Sequence, residues 1–371
     1  MQETPLGGLS PQAFLRRHWQ KRPLLVRRAL ADFRGVVGRR ALFALAGRDD
    51  VEARLVRGSG KRWSVEHGPL PGAMLERMRA AGERRWTLLV NGVNHHAPDA
   101  ERLLRRFAFI PQARLDDVMV SYAAPGGGVG PHVDSYDVFL VQGAGRRLWR
   151  IAPPRAYAML PDAPLRVIAD FRPQREFVLE AGDLLYLPPG WGHDGVALEE
   201  CFTCSVGFRA PEGAELAAAF LDYLHERGLP GARYRDPGLR AARHPARIGD
   251  DMTRFAARAL ARISWTRADV GDFLGRHLSA PKAHVVFRAG RGSPRLAGRE
   301  AVLDARTQLL YDRDRFYLNG ESFRPRAAQR AALRTLADAR RVPAARLVRA
   351  GLAARLRDWY RCGYLHLEKP G

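Results

Sequence analysis

The chain has 371 residues, with 61 Lys and Arg against 39 Asp and Glu, a formal net charge of +22. It is 46% hydrophobic with three cysteines, which excludes a disulfide-stapled scaffold and suits a folded chain of two or three domains. No uncharged apolar run approaches the roughly 18 residues of a membrane helix, and Met1 to Gly8 lacks a basic-then-apolar leader, so no membrane association and a cytoplasmic location are expected.

Ser10-Pro11 opens a helix, with Ser10 as cap and Pro11 in the first turn, and Phe14, Leu15 and Trp19 form its apolar face. Lys21-Arg22-Pro23 ends it, and Leu24 to Val26 reads as a first strand. Glu52 to Arg57 and Arg62 to Glu66 read as a hairpin across Gly58-Ser59-Gly60, and Trp86 to Val90 as a further strand. From Asp117 the strands follow quickly: Asp117 to Ala123, His132 to Val141, Arg147 to Ile151, Glu176 to Leu179, Leu184 to Leu187 and Cys201 to Phe208. Many short strands punctuated by Gly and Pro predict a barrel or double-sheet jelly roll. After Pro211 the pattern turns helical, at Ala214 to His225, Asp251 to Ile263 and Arg267 to Leu278, with a long Gly/Pro/Arg-rich connection at Gly228 to Arg247. A last segment, from about Pro281, holds a hairpin at Phe316 to Phe323 across Asn319-Gly320, with helices at Ala327 to Asp338 and Gly351 to Tyr360.

The arginines are spread along the chain rather than gathered in one block. Such a charge suits an anionic partner such as nucleic acid or a nucleoprotein, or simply an arginine-rich solvated surface. Cys201 and Cys204 lie three apart on a strand and face opposite ways, so they read as buried structural thiols rather than a redox or zinc pair.

His132-Val133-Asp134 places an imidazole and a carboxylate at i and i+2, which on a strand share one face. About sixty residues on, the run from Gly182 through Pro188-Pro189-Gly190 delivers His193 where the chain re-enters the sheet. Two imidazoles and one carboxylate make the facial triad of non-haem iron(II) oxygenases, which leaves open positions for a 2-oxo acid and dioxygen. The same ligands can hold zinc with a hydrolytic water, and each motif alone arises by chance. The adjacent His95-His96 pair diverges and reads as surface or structural. Gly126 to Gly130 lacks the Lys and Ser/Thr of a phosphate loop and reads as a turn that lets the chain approach the metal site. A cosubstrate carboxylate needs a cation, and Arg147 shares the inward face with Trp149 and Ile151, whereas Arg146 and Arg150 point outward. Ser121 and Thr203, on inward faces, are candidate hydrogen-bond partners for the same cosubstrate or ordinary strand residues.

Phe14 to Pro23, Pro125 to Asp134, Ser135 to Phe139, Gly145 to Arg150, Gly182 to His193 and Ser205 to Pro211 together resemble the JmjC-type ribosomal oxygenases of bacteria. The resemblance covers the first 210 or so residues well and the rest by architecture. It implies a mainly β fold with α: a double-stranded β-helix, or JmjC cupin barrel, over residues 1–210, a helical dimerisation region over 211–280 and a winged-helix domain over 281–371. It implies Fe(II) held by His132, Asp134 and His193, with 2-oxoglutarate on Arg147 and O2 as cosubstrates. The implied activity is C3-hydroxylation of an arginine in large-subunit ribosomal protein sixteen, by a homodimer. A family serine near 2-oxoglutarate falls on Ala123 here, for which Ser121 or Thr203 can compensate. Asp116 matches the substrate-binding acid, with Asp117 and Asp137 as alternatives. Rival readings are histidine hydroxylation of another ribosomal protein, demethylation, a cupin that only binds a ligand, and a winged-helix module that contacts ribosomal RNA. Manganese is a further possible metal.

Overall fold

The computed structural model describes residues 4–229, 231–292 and 294–370; the first three residues of the N-terminal stretch and one residue of the long connection lie outside them. Helix α1 (Pro11–Arg17) is capped as expected, Ser10 accepting from the Ala13 N–H. There follow β1 (Leu24–Val26), α2 (Arg39–Ala46), β2 (Ala53–Ser59), β3 (Arg62–His67), α3 (Gly72–Ala80), β4 (Trp86–Val90) and α4 (Pro98–Arg105). Next come β5 (Leu115–Ala123), β6 (Val138–Ala144), β7 (Arg147–Ala152), β8 (Arg175–Leu179), β9 (Leu184–Leu187), β10 (Gly192–Ala197) and β11 (Cys201–Phe208). The remainder is α5 (Gly213–Glu226), α6 (Asp250–Leu260), α7 (Arg267–Ser279), β12 (Glu300–Leu303), β13 (Leu309–Tyr311), β14 (Phe316–Leu318), β15 (Glu321–Phe323), α8 (Ala327–Ala339), β16 (Arg341–Pro343), α9 (Ala344–Arg349), α10 (Ala353–Arg361) and β17 (Leu365–Glu368).

These elements form two compact units, the first of Met1–Ala210, Lys282–Thr307 and Arg340–Gly371, the second of Pro211–Pro281 and Gln308–Ala339. In the first, an eight-stranded sheet ordered β1-β9-β6-β11-β5-β4-β2-β3 faces a three-stranded sheet ordered β10-β7-β8. The strict period of two sorts every strand. Leu88 and Val90 (β4), Val118, Val120 and Tyr122 (β5), Phe139 and Val141 (β6) and Cys204, Val206 and Phe208 (β11) pack outward with Phe14, Leu42, Phe43, Leu75 and Leu103 of the helices. The opposite parity faces the barrel interior, where Val138, Leu140, Leu185 and Leu187 meet Trp149, Ile151 and Leu179 of the smaller sheet. Each fully buried aliphatic or aromatic side chain of this kind contributes about 1.5–3 kcal/mol, so both faces of the large sheet are anchored. Cys201 and Cys204 are buried free thiols, and burial pushes Cys204 up to about 12. β12, β16 and β17 form a further small sheet of this unit.

Two departures from the expected strands matter. His132 to Val141 is not one strand: β6 begins only at Val138, and His132 makes an isolated antiparallel bridge with His193. The carbonyl of Asp134 accepts instead from Gly190 N, at 2.8 Å, so the Pro-Pro-Gly turn draws the chain out of the sheet. The second departure is a β-bulge. Phe208 pairs with Leu115 but Val206 with Val118, so β5 carries one extra residue opposite Gly207. A bulge re-aims side chains, and it brings both Asp116 and Asp117 to the cavity wall.

In the second unit Tyr223 and Leu224 of α5 and Phe273 of α7 form a small core with Leu216, Phe220 and Ile263. A methyl on Gly275 of α7 would meet the Tyr317 ring at 2.3–2.4 Å, so glycine there lets helix and β14 close. Helix α6 buries no residue, and Leu221, Leu260 and Trp265 are exposed.

Candidate metal and cosubstrate site

A cavity of about 390 Å³ opens inside the barrel, lined by residues of both sheets. Its only group of three metal-ligating side chains, among the described residues, is His132, Asp134 and His193, with ligand atoms all within 4.8 Å of one another. His193 Nε2 lies 3.6 Å from Asp134 Oδ2, and His132 Nε2 lies 3.9 Å from Asp134 Oδ1. The paired backbone bonds of the bridge, both 2.9 Å, hold the two histidines opposite each other. The rings sit 4.1 Å apart between centroids.

Backbone carbonyls set the tautomers. His132 Nδ1 bonds to Gly130 O at 2.9 Å and His193 Nδ1 to Trp191 O at 3.0 Å. A carbonyl only accepts, so each Nδ1 carries the proton and each Nε2 lone pair turns toward Asp134, the arrangement of a ligated imidazole. Burial, reinforced by His132, holds His193 below its ordinary value against the pull of Asp134. The glycine loop gives the room: a methyl on Gly127 would meet Trp86 O at 2.3 Å, and one on Gly128 would meet Gly195 O at 2.6 Å.

Arg147 points inward as the period of two predicts, and is 4% exposed. Its Nη1 donates to Ser121 Oγ at 3.3 Å, while Nε and Nη2 are buried without a partner. A buried guanidinium with unpaired donors is costly unless an anion meets it, so the residue fits a cosubstrate carboxylate. Ser121 lines the same cavity. Thr203 is its cross-strand neighbour but gives its hydroxyl to Gln142 Oε1 at 3.0 Å and does not line the cavity. Arg146 and Arg150 pair with Glu199 and Asp194.

The sequence reading overlooked Thr87. Its side chain is 1% exposed, its hydroxyl is buried without a partner, and it lines the cavity. It lies directly across from Ala123 in the β4–β5 register. The signal was available: with Trp86, Leu88 and Val90 facing the helices, Thr87 must face inward. Ala123 therefore has a hydroxyl beside it.

At the cavity wall, Asp116 Oδ1 meets Lys282 Nζ at 3.0 Å and Arg209 Nε at 3.3 Å. Asp117 accepts from Gly92 N at 2.9 Å, and burial, with repulsion from Asp116, raises its carboxyl above the usual range while Lys282 opposes the rise. Asp137 is elsewhere, fully buried and bonded to Tyr186 and Gln20. Burial pushes His95 down to about 3 and His96 to about 4, in keeping with a structural pair.

The sequence matches the JmjC domain family over residues 102–216 and the ROXA-like winged helix over residues 258–366. It is 44% identical over 237 residues to the ribosomal protein uL16 3-hydroxylase of Escherichia coli strain K12, covering 63% of this chain and 62% of that protein. A probable ribosomal oxygenase of Haemophilus influenzae is 37% identical, over 56% of this chain and 52% of that one. The chain thus spans about half to three fifths of the length of these two curated relatives. Among solved structures, that of E. coli ycfD superposes with a TM-score of 0.82 at 33% identity, covering 97% of this chain and 99% of that one. The structure of YcfD, a ribosomal oxygenase, in complex with cobalt and 2-oxoglutarate matches with a TM-score of 0.79, also at 33% identity, over 97% and 99% of the two chains.

Proposed function

Because this chain belongs to the JmjC-type ribosomal oxygenases, we propose that it is an iron(II)- and 2-oxoglutarate-dependent hydroxylase acting on C3 of an arginine in large-subunit ribosomal protein uL16. The observation that carries this is the convergence on one barrel cavity of two imidazoles, a carboxylate and a buried arginine with unpaired donors.

His132, Asp134 and His193 would hold the iron through one face. Arg147, with its unpaired Nε and Nη2, would hold the far carboxylate of 2-oxoglutarate, and Ser121 and Thr87 would offer hydroxyls beside it. When bound, iron and 2-oxoglutarate supply the oxygen-activating chemistry, in which the 2-oxo acid is oxidised to succinate and CO2 as one oxygen atom goes to the target. The protein supplies orientation and partly apolar walls, to which Met119, Leu140 and Trp149 contribute. Asp116 offers the negative charge that an arginine side chain needs.

The proposed functional division is 1–210 for the oxygenase barrel, 211–280 for a helical dimerisation region and 281–371 for a winged-helix-like domain. The exposed Leu221, Leu260 and Trp265 support a homodimer. The exposed arginines between Gly228 and Arg247 support contact with ribosomal RNA. No helix of the described residues is long and apolar enough to cross a membrane, and a ribosomal substrate supports a cytoplasmic site of action.

The test is intact mass spectrometry of uL16 after aerobic incubation with iron(II), 2-oxoglutarate and enzyme. Wild type should add one oxygen atom, located on an arginine by fragmentation, and His132→Ala should add none. No oxygen gained and no succinate formed would overturn the proposal; succinate without oxidation of the target would retain the chemistry and reject the substrate.

A further inference from the structure

We infer that Lys282 is a built-in, displaceable occupant of the substrate-cation subsite, whose ammonium holds Asp116 until the substrate guanidinium takes its place. The inference rests on the reading of Asp116 as the acid that binds the target arginine.

Lys282 Nζ lies 3.0 Å from Asp116 Oδ1 and 3.8 Å from Asp117 Oδ2, and the residue lines the same cavity as the metal-ligating group. Arg209 meets Asp116 from another direction at 3.3 Å. Two carboxylates thus face two cations before any substrate arrives. A third cation has no counter-charge there unless one of the two withdraws. Arg209 is the more enclosed, at 22% side-chain exposure against 38% for Lys282. Lys282 also lies beyond α7 in a turn closed by its own carbonyl, which accepts from Val285 N at 2.9 Å. Its flexible stem can leave without moving a strand or helix.

The residue type adds an independent argument. Only Lys21, Lys61, Lys282 and Lys369 are lysines, so 61 − 4 = 57 of the basic residues are arginine. In an arginine-rich chain, the more exposed of the two cations on this acid is a lysine, the other being Arg209. An ammonium is a point charge, whereas a guanidinium offers a planar fork that can bond a carboxylate through two N–H groups at once. An incoming arginine therefore gains bonds that Lys282 does not make, and a second arginine at 282 would cancel that advantage.

The experiment is a substitution series measured by target oxidation. Lys282→Met should lower KM for uL16 by about threefold to tenfold, and Lys282→Arg should raise it by a similar factor, with kcat within about twofold. A positioning role for Lys282 gives the reverse order, with Met harmful and Arg restoring function, and would overturn the inference. The wild-type chain offers a second test that does not depend on variants folding. In reductive methylation read by mass spectrometry, N-acetylargininamide should speed labelling of Lys282 relative to Lys21, Lys61 and Lys369; unchanged labelling would also overturn it. Asp116→Asn separates the two levels of argument. If it leaves KM for uL16 unchanged, the assignment of the acid itself is wrong; if it raises KM while the lysine series runs in the reverse order, only the role of Lys282 is wrong.

Discussion

The cavity has two polar groupings built on opposite terms. Around Arg147 the side chains are sealed: Arg147, Ser121 and Thr87 are 4%, 2% and 1% exposed. Around Asp116 they are wetter and already paired, with Asp116 at 30% side-chain exposure and held by Lys282 and Arg209, and Asp117 beside it more enclosed at 13%. The sealed grouping keeps unpaired donors, and the wet one keeps none of its acids unpaired. A small, constant cosubstrate suits a dry socket in which each hydrogen bond counts heavily. A protein side chain must enter from solvent, and a site that trades one cation for another lets it do so without exposing bare carboxylates in between.

The contrast can be broken most severely at Arg147. Arg147→Met leaves a cosubstrate carboxylate buried without its cation, a loss of about 3–5 kcal/mol, so KM for 2-oxoglutarate should rise by about two to three and a half orders of magnitude. The barrel should melt no lower than wild type, because Met keeps the apolar stem. An unchanged KM would remove Arg147 from the site.

Thr87→Val keeps the shape and deletes one hydroxyl. Loss of a single hydrogen bond costs about 1 kcal/mol, so 2-oxoglutarate binding, followed by titration calorimetry of the manganese-loaded protein, should weaken about fivefold. Equal affinity would leave Thr87 as a wall residue only.

The smallest effect concerns pH. Burial and Asp116 raise the Asp117 carboxyl, with Glu52 adding repulsion and Lys282 and Gly92 N opposing them. A raised carboxyl loses its charge at a higher pH than an ordinary one, so attraction for a cationic side chain fades first as pH falls toward that raised value. KM for uL16 should therefore rise on acidification before KM for 2-oxoglutarate moves. Parallel changes in both would mean that the two groupings do not titrate separately.

The sealed grouping was largely legible in the sequence because a strand's period of two leaves little freedom. Arg147 beside Trp149 and Ile151 could only face inward, and β11 and the hairpin at Asn319-Gly320 fall where their patterns put them. The three candidate metal-ligating side chains, expected as a set, do lie together, although the strand expected to carry His132 and Asp134 is a bridge and a turn. The face of β4 that holds Thr87 went unread although its alternation was present. In the wet grouping Asp116 and Asp117 were named through the resemblance, but how they are presented and paired was illegible for physical reasons. A bulge is a mismatch between two strands and has no signature in either one, and Lys282 reaches Asp116 from a distant part of the chain. Helices α2, α3 and α4 were also missed. They are 8, 9 and 8 residues long, too short for periodicity to stand out, although Pro98 with Asp99 and Glu101 did mark the start of α4.

The first unit is not contiguous in the chain: it takes in Lys282–Thr307 and the segment from Arg340 as well as the barrel. During translation, the polypeptide through Ala210 emerges with all three candidate metal-ligating side chains, Arg147 and both wall acids, but without the lysine that pairs with Asp116. Until residue 282 leaves the ribosome, the nascent barrel carries an acid answered by Arg209 alone. A fragment cut at Ala210 is accordingly a different electrostatic object from the finished protein, and its affinity for basic peptides does not stand for that of the whole chain.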